Sequence, residues 1–381
     1  MSLYTTPLQF GYFFCLLIWI LLLIRGYKNQ RLSDRLLGWV MFILAMELQD
    51  YTFGFAGINF LWDELNGFPR GVTFLFGPIV YFYFLSQTNR SFSFRREHLW
   101  HFLPYFFYLV YHLAFFIQGK EVVLKLQEST LDLVMGYVFR ISYIISFIYY
   151  LSKCLKIHQS YKVWSLGEFS NSDQIDFNWF GNFIYSMIFW LFFREVFMII
   201  DVLIILDFYQ DWWWNLALVA VALYIGIVGY SQKQPAQIYY PFSAQGKPNG
   251  EPPQPRLNAN AKEILTEKEK DHLSKRLAAL LEKDRLFLQA DLSLHQLSQH
   301  LQTNPTLLSA TINQLIGMNF NDYINSFRIE EFIKKYQEKK NRSYTLLSLA
   351  FDSGFNSKAT FNRAFKKTKG CSPQEFFKTQ K

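Results

Sequence analysis

The residues whose types and spacing point most directly to chemistry lie near the C-terminus, between Ser357 and Lys369. Ser357 is a favoured helix cap. Behind it Phe361 and Phe365, four apart, form an inward apolar stripe with Ala364. Lys358, Ala359, Asn362, Arg363 and Lys366 are left on the opposite face. A basic run is ordinarily no more than solvated surface, but here the charges share one face of a capped helix. Such a helix suits the major groove of double-stranded DNA. Its first-turn amides and lysines can donate to phosphate oxygens, and Asn or Arg can make paired hydrogen bonds with an adenine or guanine edge.

A helix of this kind needs a partner to aim it. Leu346 to Asp352 reads as a short apolar helix and Ser353-Gly354 as a turn, so 345–369 is helix, turn, helix. The same plan is readable earlier, in 293–316. There Ser293 caps a helix over Leu294 to Leu301, Gln302 and Thr303 turn the chain, and Asn304-Pro305 supplies a cap and first-turn pair for a helix to about Ile316. Leu308, Ile312 and Leu315 are expected to pack inward, which puts Thr306, Ser309, Ala310 and Asn313 on the groove-facing side. Phe320, Tyr323, Ile324, Phe327 and Tyr336 mark a long helix between the two units. Leu273, Leu277, Leu280 and Leu281 mark another ahead of them, from about Thr266 to Lys283.

The run Gly354-Phe355-Asn356-Ser357-Lys358-Ala359-Thr360-Phe361-Asn362-Arg363-Ala364-Phe365-Lys366-Lys367, followed by Gly370-Cys371-Ser372-Pro373, resembles the signature of the AraC/XylS family of transcription regulators. Asn319 to Asn325, with Arg328, is similar to that family's connecting-helix region. The resemblance covers about the last hundred residues. It implies two recognition helices entering successive major grooves, and an asymmetric site read by one domain. The groove-facing positions it implies are Thr306, Ser309, Ala310 and Asn313 in the first unit and Lys358, Asn362 and Arg363 in the second; the cap Ser357 and the basic Lys366 join them as expected DNA contacts. The sequence departs from the family at Ala310, where members often carry a long polar residue, and its first recognition helix is poor in Arg and Lys. The second helix is therefore expected to carry more of the sequence information. Well-known soluble members bind small molecules in a cupin-like barrel, a property that does not transfer to this chain.

The remainder reads differently. The chain is 51% apolar and 19% aromatic, too apolar for an ordinary soluble pair of domains. Its formal charge of +8 lies entirely after Gln254. Seven stretches approach the roughly 20 apolar residues needed to cross about 30 Å of hydrocarbon: Pro7 to Ile24, Leu36 to Ala56, Phe68 to Gln87, Leu99 to Gln118, Leu133 to Leu151, Gly181 to Leu206 and Trp212 to Tyr230. Basic residues follow the first stretch rather than precede it, and no small-residue cleavage site is present, so it reads as a retained span. Arg25, Lys28, Arg31 and Arg35, then Arg90, Arg95 and Arg96, then Lys153, Lys156 and Lys162 collect on one side. The other has Arg70, Lys120 and Lys125, with Asp207 and Asp211 in its last loop. The positive-inside rule then places the N-terminus outside and the C-terminal third in the cytoplasm, and Trp212, Trp213 and Trp214 suit an outer aromatic belt.

The expected fold is all-α: a seven-helix transmembrane bundle over 1–230, a tether over 231–262, and an AraC-type domain over 263–381. Pro235, Pro241, Pro248, Pro252, Pro253 and Pro255, with Gly246 and Gly250, give the tether its extended character. Within the spans lie Glu47, Asp50, Arg140, Arg194, Glu195 and Asp201. Charges there are expensive unless paired or facing a wet cavity, so these residues form either an ion-pair network or an outward-opening ligand or ion pocket.

Cys15, Cys154 and Cys371 have no metal or redox spacing. His98, His101 and His112 lack a matching carboxylate motif and read as interfacial residues. No phosphate loop or nucleophile elbow is present, so no catalytic residue, metal or cofactor is expected. The sequence thus reads as a regulator in the bacterial cytoplasmic membrane. Its partners would be promoter DNA, the lipid bilayer and a small-molecule or ion signal, and a homodimer is compatible with it. The alternative is a transporter or channel with an accessory cytoplasmic DNA-binding domain, although no repeated half-structure is visible. A third reading keeps the regulator and makes the spans merely an anchor.

Overall fold

The computed structural model describes residues 5–170, 177–204, 212–232, 267–338 and 344–378. The tether lies outside the described residues from 233 onward, as do Asp207 and Asp211. By contacts the chain divides into two units, Met1–His158 with Asn178–Pro241, and Gln159–Phe177 with Phe242–Lys381. Among the described residues all regular structure is helical, apart from isolated bridge residues, among them the pair Phe169 and Ser293.

The first unit is built on α1 (Thr5–Lys28), α2 (Leu32–Phe55), the single turn α3 (Phe60–Asp63), α4 (Thr73–Thr88), α5 (Leu103–Phe116), α6 (Lys120–Gln127), most of α7 (Thr130–Glu168), α8 (Phe177–Ile204) and α9 (Trp212–Ser231). α1 buries Leu8, Tyr12, Cys15, Ile18 and Leu22, a stripe at three- and four-residue spacing, against α2 and α9. Its other face, with Phe10, Phe13, Leu17, Ile20 and Ile24, is just as apolar and is exposed. α4 is buried continuously from Phe76 to Thr88, as a helix that is apolar on every side must be. The indole of Trp179 on α8 donates to the Tyr83 hydroxyl of α4 at 2.8 Å, which satisfies a polar pair inside this core.

Among the described residues, five helical segments are long and apolar enough to cross a membrane: Thr5–Lys28, Arg96–Phe116, Thr130–Glu168, Trp179–Asp201 and Trp212–Ser231. The two other expected spans, α2 and α4, fall short of that standard. α2 carries Asp34, Arg35, Glu47 and Asp50, whereas α4, with 16 residues, is only about 24 Å long. The Asp34 carboxylate is buried and takes two hydrogen bonds from Arg25, at 2.8 and 2.9 Å. α7 runs on as helix well beyond Leu151. Lys153, Lys156 and Lys162, expected in a loop, are therefore helical.

The second unit comprises α10 (Glu267–Asp284), α11 (Leu294–His300), α12 (Pro305–Thr311), α13 (Phe320–Gln337), α14 (Leu346–Asp352), α15 (Lys358–Lys369) and α16 (Pro373–Lys378), joined by the last residues of α7 and the strand-like Phe169–Ser170. The expected domain began at 263; the structure adds 159–177 to it. Two cores lie along α13. Leu277, Leu297, Leu308, Ile312 and Ile324 belong to the first, and Ile329, Phe332, Leu349, Phe361 and Phe365 to the second. α13 thus gives its N-terminal half to one helix-turn-helix and its C-terminal half to the other.

Candidate nucleic-acid interface and bundle cavity

Local capping builds each helix-turn-helix. In the first, the Ser293 hydroxyl accepts from the Gln296 amide at 3.2 Å while Gln296 Oε1 accepts from the Ser293 amide at 2.8 Å, a reciprocal box. Asn304 Oδ1 accepts from the Thr306 amide at 2.8 Å, and Pro305 follows where no amide donor is needed. In the second, Thr345 caps α14 through the Ser348 amide at 3.1 Å, and Ser357 caps α15 through the Thr360 amide at 3.1 Å.

On α15 the structure leaves Lys358, Asn362, Arg363 and Lys366 exposed on one side and buries Phe361 and Phe365 on the other. Ser357 is half-buried, its hydroxyl engaged as the cap. Lys367 and Lys369 pair with Asp322 and Glu330 of α13, each at 2.6 Å, so these two lysines draw α15 onto the connecting helix. Arg363 also borders a groove between the start of α13 and α15, which Leu166 of α7 reaches as well.

The first recognition helix departs from expectation at two residues. Ala310 is only 8% exposed, so it is not groove-facing. α12 is packed by both α10 and α11, and a methyl group is too short to clear the helices that cover it. Leu315, expected inside, is 41% exposed. Ile312–Ile316 is a wider π-type turn, which rotates Leu315 outward and brings Ile316 against the core in its place. Thr306 and Asn313 are exposed and Ser309 is half-buried, with Asn313 donating to Ser309 Oγ at 3.3 Å. No Asp, Glu, Lys or Arg occurs from Leu292 to Asn321.

Two residues hold the helix-turn-helix units in register. Gly354 has φ +94°, and a Cβ there would lie 2.6 Å from the Phe287 carbonyl oxygen and 2.9 Å from Leu288 Cα. The turn of the second unit is therefore pressed against the backbone that leads into the first, an approach only glycine permits. Arg328 is 0% exposed. It donates to the carbonyls of Phe287 and Gln289 at 2.7 Å each, to the Ser170 carbonyl and hydroxyl at 3.2 and 3.0 Å, and to Asn325 Oδ1 at 3.2 Å. Its guanidinium stands 5.9 Å from the Phe355 ring centroid. Burial lowers its pKa to about 10, partly offset by Asp291, so it remains a cation at neutral pH. The sequence reading noted Arg328 only through the family resemblance; an arginine among Ile324, Ile329 and Phe332 was the available sign of a buried strut.

The end of α7 is tied to this strut. Asn321 Nδ2 donates to the Phe169 carbonyl at 3.1 Å, and the Ser170 amide donates to the Leu292 carbonyl at 3.0 Å. Glu168 lies seventeen residues beyond Leu151, the end of the expected span. Burial raises its carboxyl pKa to about 7, partly opposed by a hydrogen bond from the His295 backbone.

In the first unit, the charges expected within the spans divide into two groups. Arg140 and Glu195 pair at 2.9 Å between α7 and α8. Glu47, Asp50 and Arg194 instead line a cavity of about 600 Å3, joined by Arg70, His112 and Asp132. Asp201 is half-buried on α8 and is not in that lining. Asp50 accepts from Arg70 Nε at 3.0 Å, and Glu47 accepts from the Thr73 hydroxyl. Arg70 had been read as a loop cation, and its three-dimensional partner was not visible in the sequence. His101 Nδ1 is 2.7 Å from the Tyr150 hydroxyl, and His98 Nδ1 accepts from the Arg95 amide at 3.1 Å. Among the described residues no cluster of His, Cys, Asp and Glu could hold a metal ion.

Residues 297–379 match the family model of a helix-turn-helix domain, of AraC type. The match takes in α12 to α16 and most of α11, and it supports a DNA-binding domain at this end of the chain. No curated protein and no solved structure matches the chain.

Proposed function

We propose that the chain is a membrane-bound, sequence-specific transcription regulator of the bacterial cytoplasmic membrane, with its DNA-binding domain in the cytoplasm. The observation that carries this reading is the exposed face of α15. There Lys358, Asn362, Arg363 and Lys366 stand on a capped helix whose other side is locked into a core. Such a face supplies both charge for phosphates and forked or amide donors for base edges.

Membrane insertion is supported by the five long apolar helices and by the large apolar side chains they expose, among them Phe106, Phe107, Ile141, Ile145, Phe189 and Phe192. An exposed apolar surface on that scale is costly in water and suits lipid. With α2 and α4 sheltered among the others, seven crossings place the N-terminus outside. The cavity then faces outward, because it is bordered by the starts of α4, α7 and α9. A signal bound there would shift regulation only by binding two states of the protein with different affinity.

The test is genome-wide mapping of the intact protein in cells, with and without candidate extracellular compounds. Promoter-centred peaks that disappear in the Lys358→Ala, Arg363→Ala, Lys366→Ala triple variant are the expected outcome. Peaks that persist in that variant, or recovery of the protein outside the membrane fraction, would contradict the reading.

A further inference from the structure

The cavity's lining narrows the chemistry of what it takes. Asp50 and Arg70 neutralise one another across 3.0 Å. What remains is a carboxylate at Asp132, a carboxylate at Glu47 already holding Thr73, and the guanidinium of Arg194. Arg194 Nη1 is buried without an acceptor at full hydrogen-bond geometry; its guanidinium lies over the Tyr143 ring at 5.3 Å, interacts with that residue's hydroxyl, and is within electrostatic range of Glu47 and Glu195. A buried, unsatisfied N–H of a cation costs free energy that an arriving anion would recover. Asp132 lies within electrostatic range of His112 and Tyr111. Groups of both signs thus face one space, and a simple ion of either sign would satisfy only one of them.

The remaining lining suits something longer than an ion. Asn66 and Gln127 exchange reciprocal amide hydrogen bonds at 3.2 and 3.0 Å beside the cavity, and each presents a donor and an acceptor that a peptide bond can match. Trp62 and Tyr108 supply apolar wall. The volume of about 600 Å3 lies in the middle of the range for small-molecule sites.

We propose that this cavity binds a short peptide as a zwitterion, its α-carboxylate on Arg194 and its α-ammonium on Asp132. The proposal rests on the sensing role given above and names the ligand class of that site. Peptide binding and DNA binding can be read from the same sample, so the two fail separately.

The full chain in lipid nanodiscs is incubated with an equimolar mixture of tripeptides, each present with free ends, with an acetylated N-terminus and with an amidated C-terminus. Retained species are identified by mass spectrometry. Free-ended peptides are expected to be retained about tenfold or more over either blocked form, because each blocked end leaves a charge of the cavity lining without its counter-charge. Arg194→Gln is expected to abolish the preference for a free carboxylate and spare that for a free amine, and Asp132→Asn to do the reverse. Retention no greater than that of empty nanodiscs, or indifferent to end blocking, overturns the proposal. The blocked-peptide comparison needs no variant, so a misfolded Arg194→Gln leaves the test intact. Failure of the same nanodiscs to bind promoter DNA would instead overturn the regulator reading and leave the peptide result standing.

Discussion

The two helix-turn-helix units share a plan and differ in what they present. Both begin on a hydroxyl-capped helix and turn into a second capped helix, and both pack onto α13. The second offers Lys358, Arg363 and Lys366 to solvent, whereas the first sits in a stretch free of Asp, Glu, Lys and Arg and buries Ala310. The end of α7 is also hydrogen-bonded at the start of the first, through Leu292 and Ser293, and to Asn321 of α13. The second thus presents the charge that phosphates attract, and the first lies against the end of α7. Similar topology does not imply equal shares of the binding energy, because phosphate attraction follows charge.

The comparison is broken most severely by removing what fixes the two units against each other. Arg328→Met would leave the carbonyls of Phe287 and Gln289 without their donor and remove both contacts to Ser170, a loss of about 4 kcal/mol. Hydrogen exchange is expected to show lost protection in α13 and in both units together. Gly354→Ala forces a side chain into backbone at positive φ, for about 3 kcal/mol, and exchange should rise first in α14 and α15. Lys366→Ala sharpens the contrast between the units. It should weaken binding to all DNA sequences alike and lower the slope of log affinity against log salt by about 1, whereas Asn313→Ala should leave that slope unchanged.

The smallest effect is a pH dependence. The Glu168 pKa is raised, so its buried position is most favourable below about pH 4.5 and that contribution is lost as pH rises through about 7. Exchange at Phe169 and Ser170, corrected for intrinsic rates, should therefore increase from pH 6 to pH 8. Glu168→Gln should remove that dependence.

Much of this contrast is legible in sequence because capping is local. Ser293, Asn304 and Ser357 each act on an amide two or three residues ahead, and a reader of the chain can see both partners. The inward Phe361 and Phe365 follow from helical spacing for the same reason. Ala310 and Leu315 were misplaced because the π-type turn and the double cover of α12 are products of packing, to which a regular helical wheel is blind. Arg70 paired with Asp50, and Ser170 holding Arg328, join residues far apart in the chain. Hydropathy marked α4 as apolar without distinguishing a lipid-facing helix from one enclosed by its neighbours.

The central claim is that α15 reads sequence and the first recognition helix contributes little to it. Selection of bound sites from a randomised DNA pool by the full chain in nanodiscs, compared for the native protein, Arg363→Ala and Asn313→Ala, tests it most directly. Arg363→Ala is expected to relax preference at one or two adjacent base pairs and to cost about 1–3 kcal/mol on the best site, with Asn313→Ala nearly silent. A selected motif that survives Arg363→Ala and dissolves with Asn313→Ala would contradict the account.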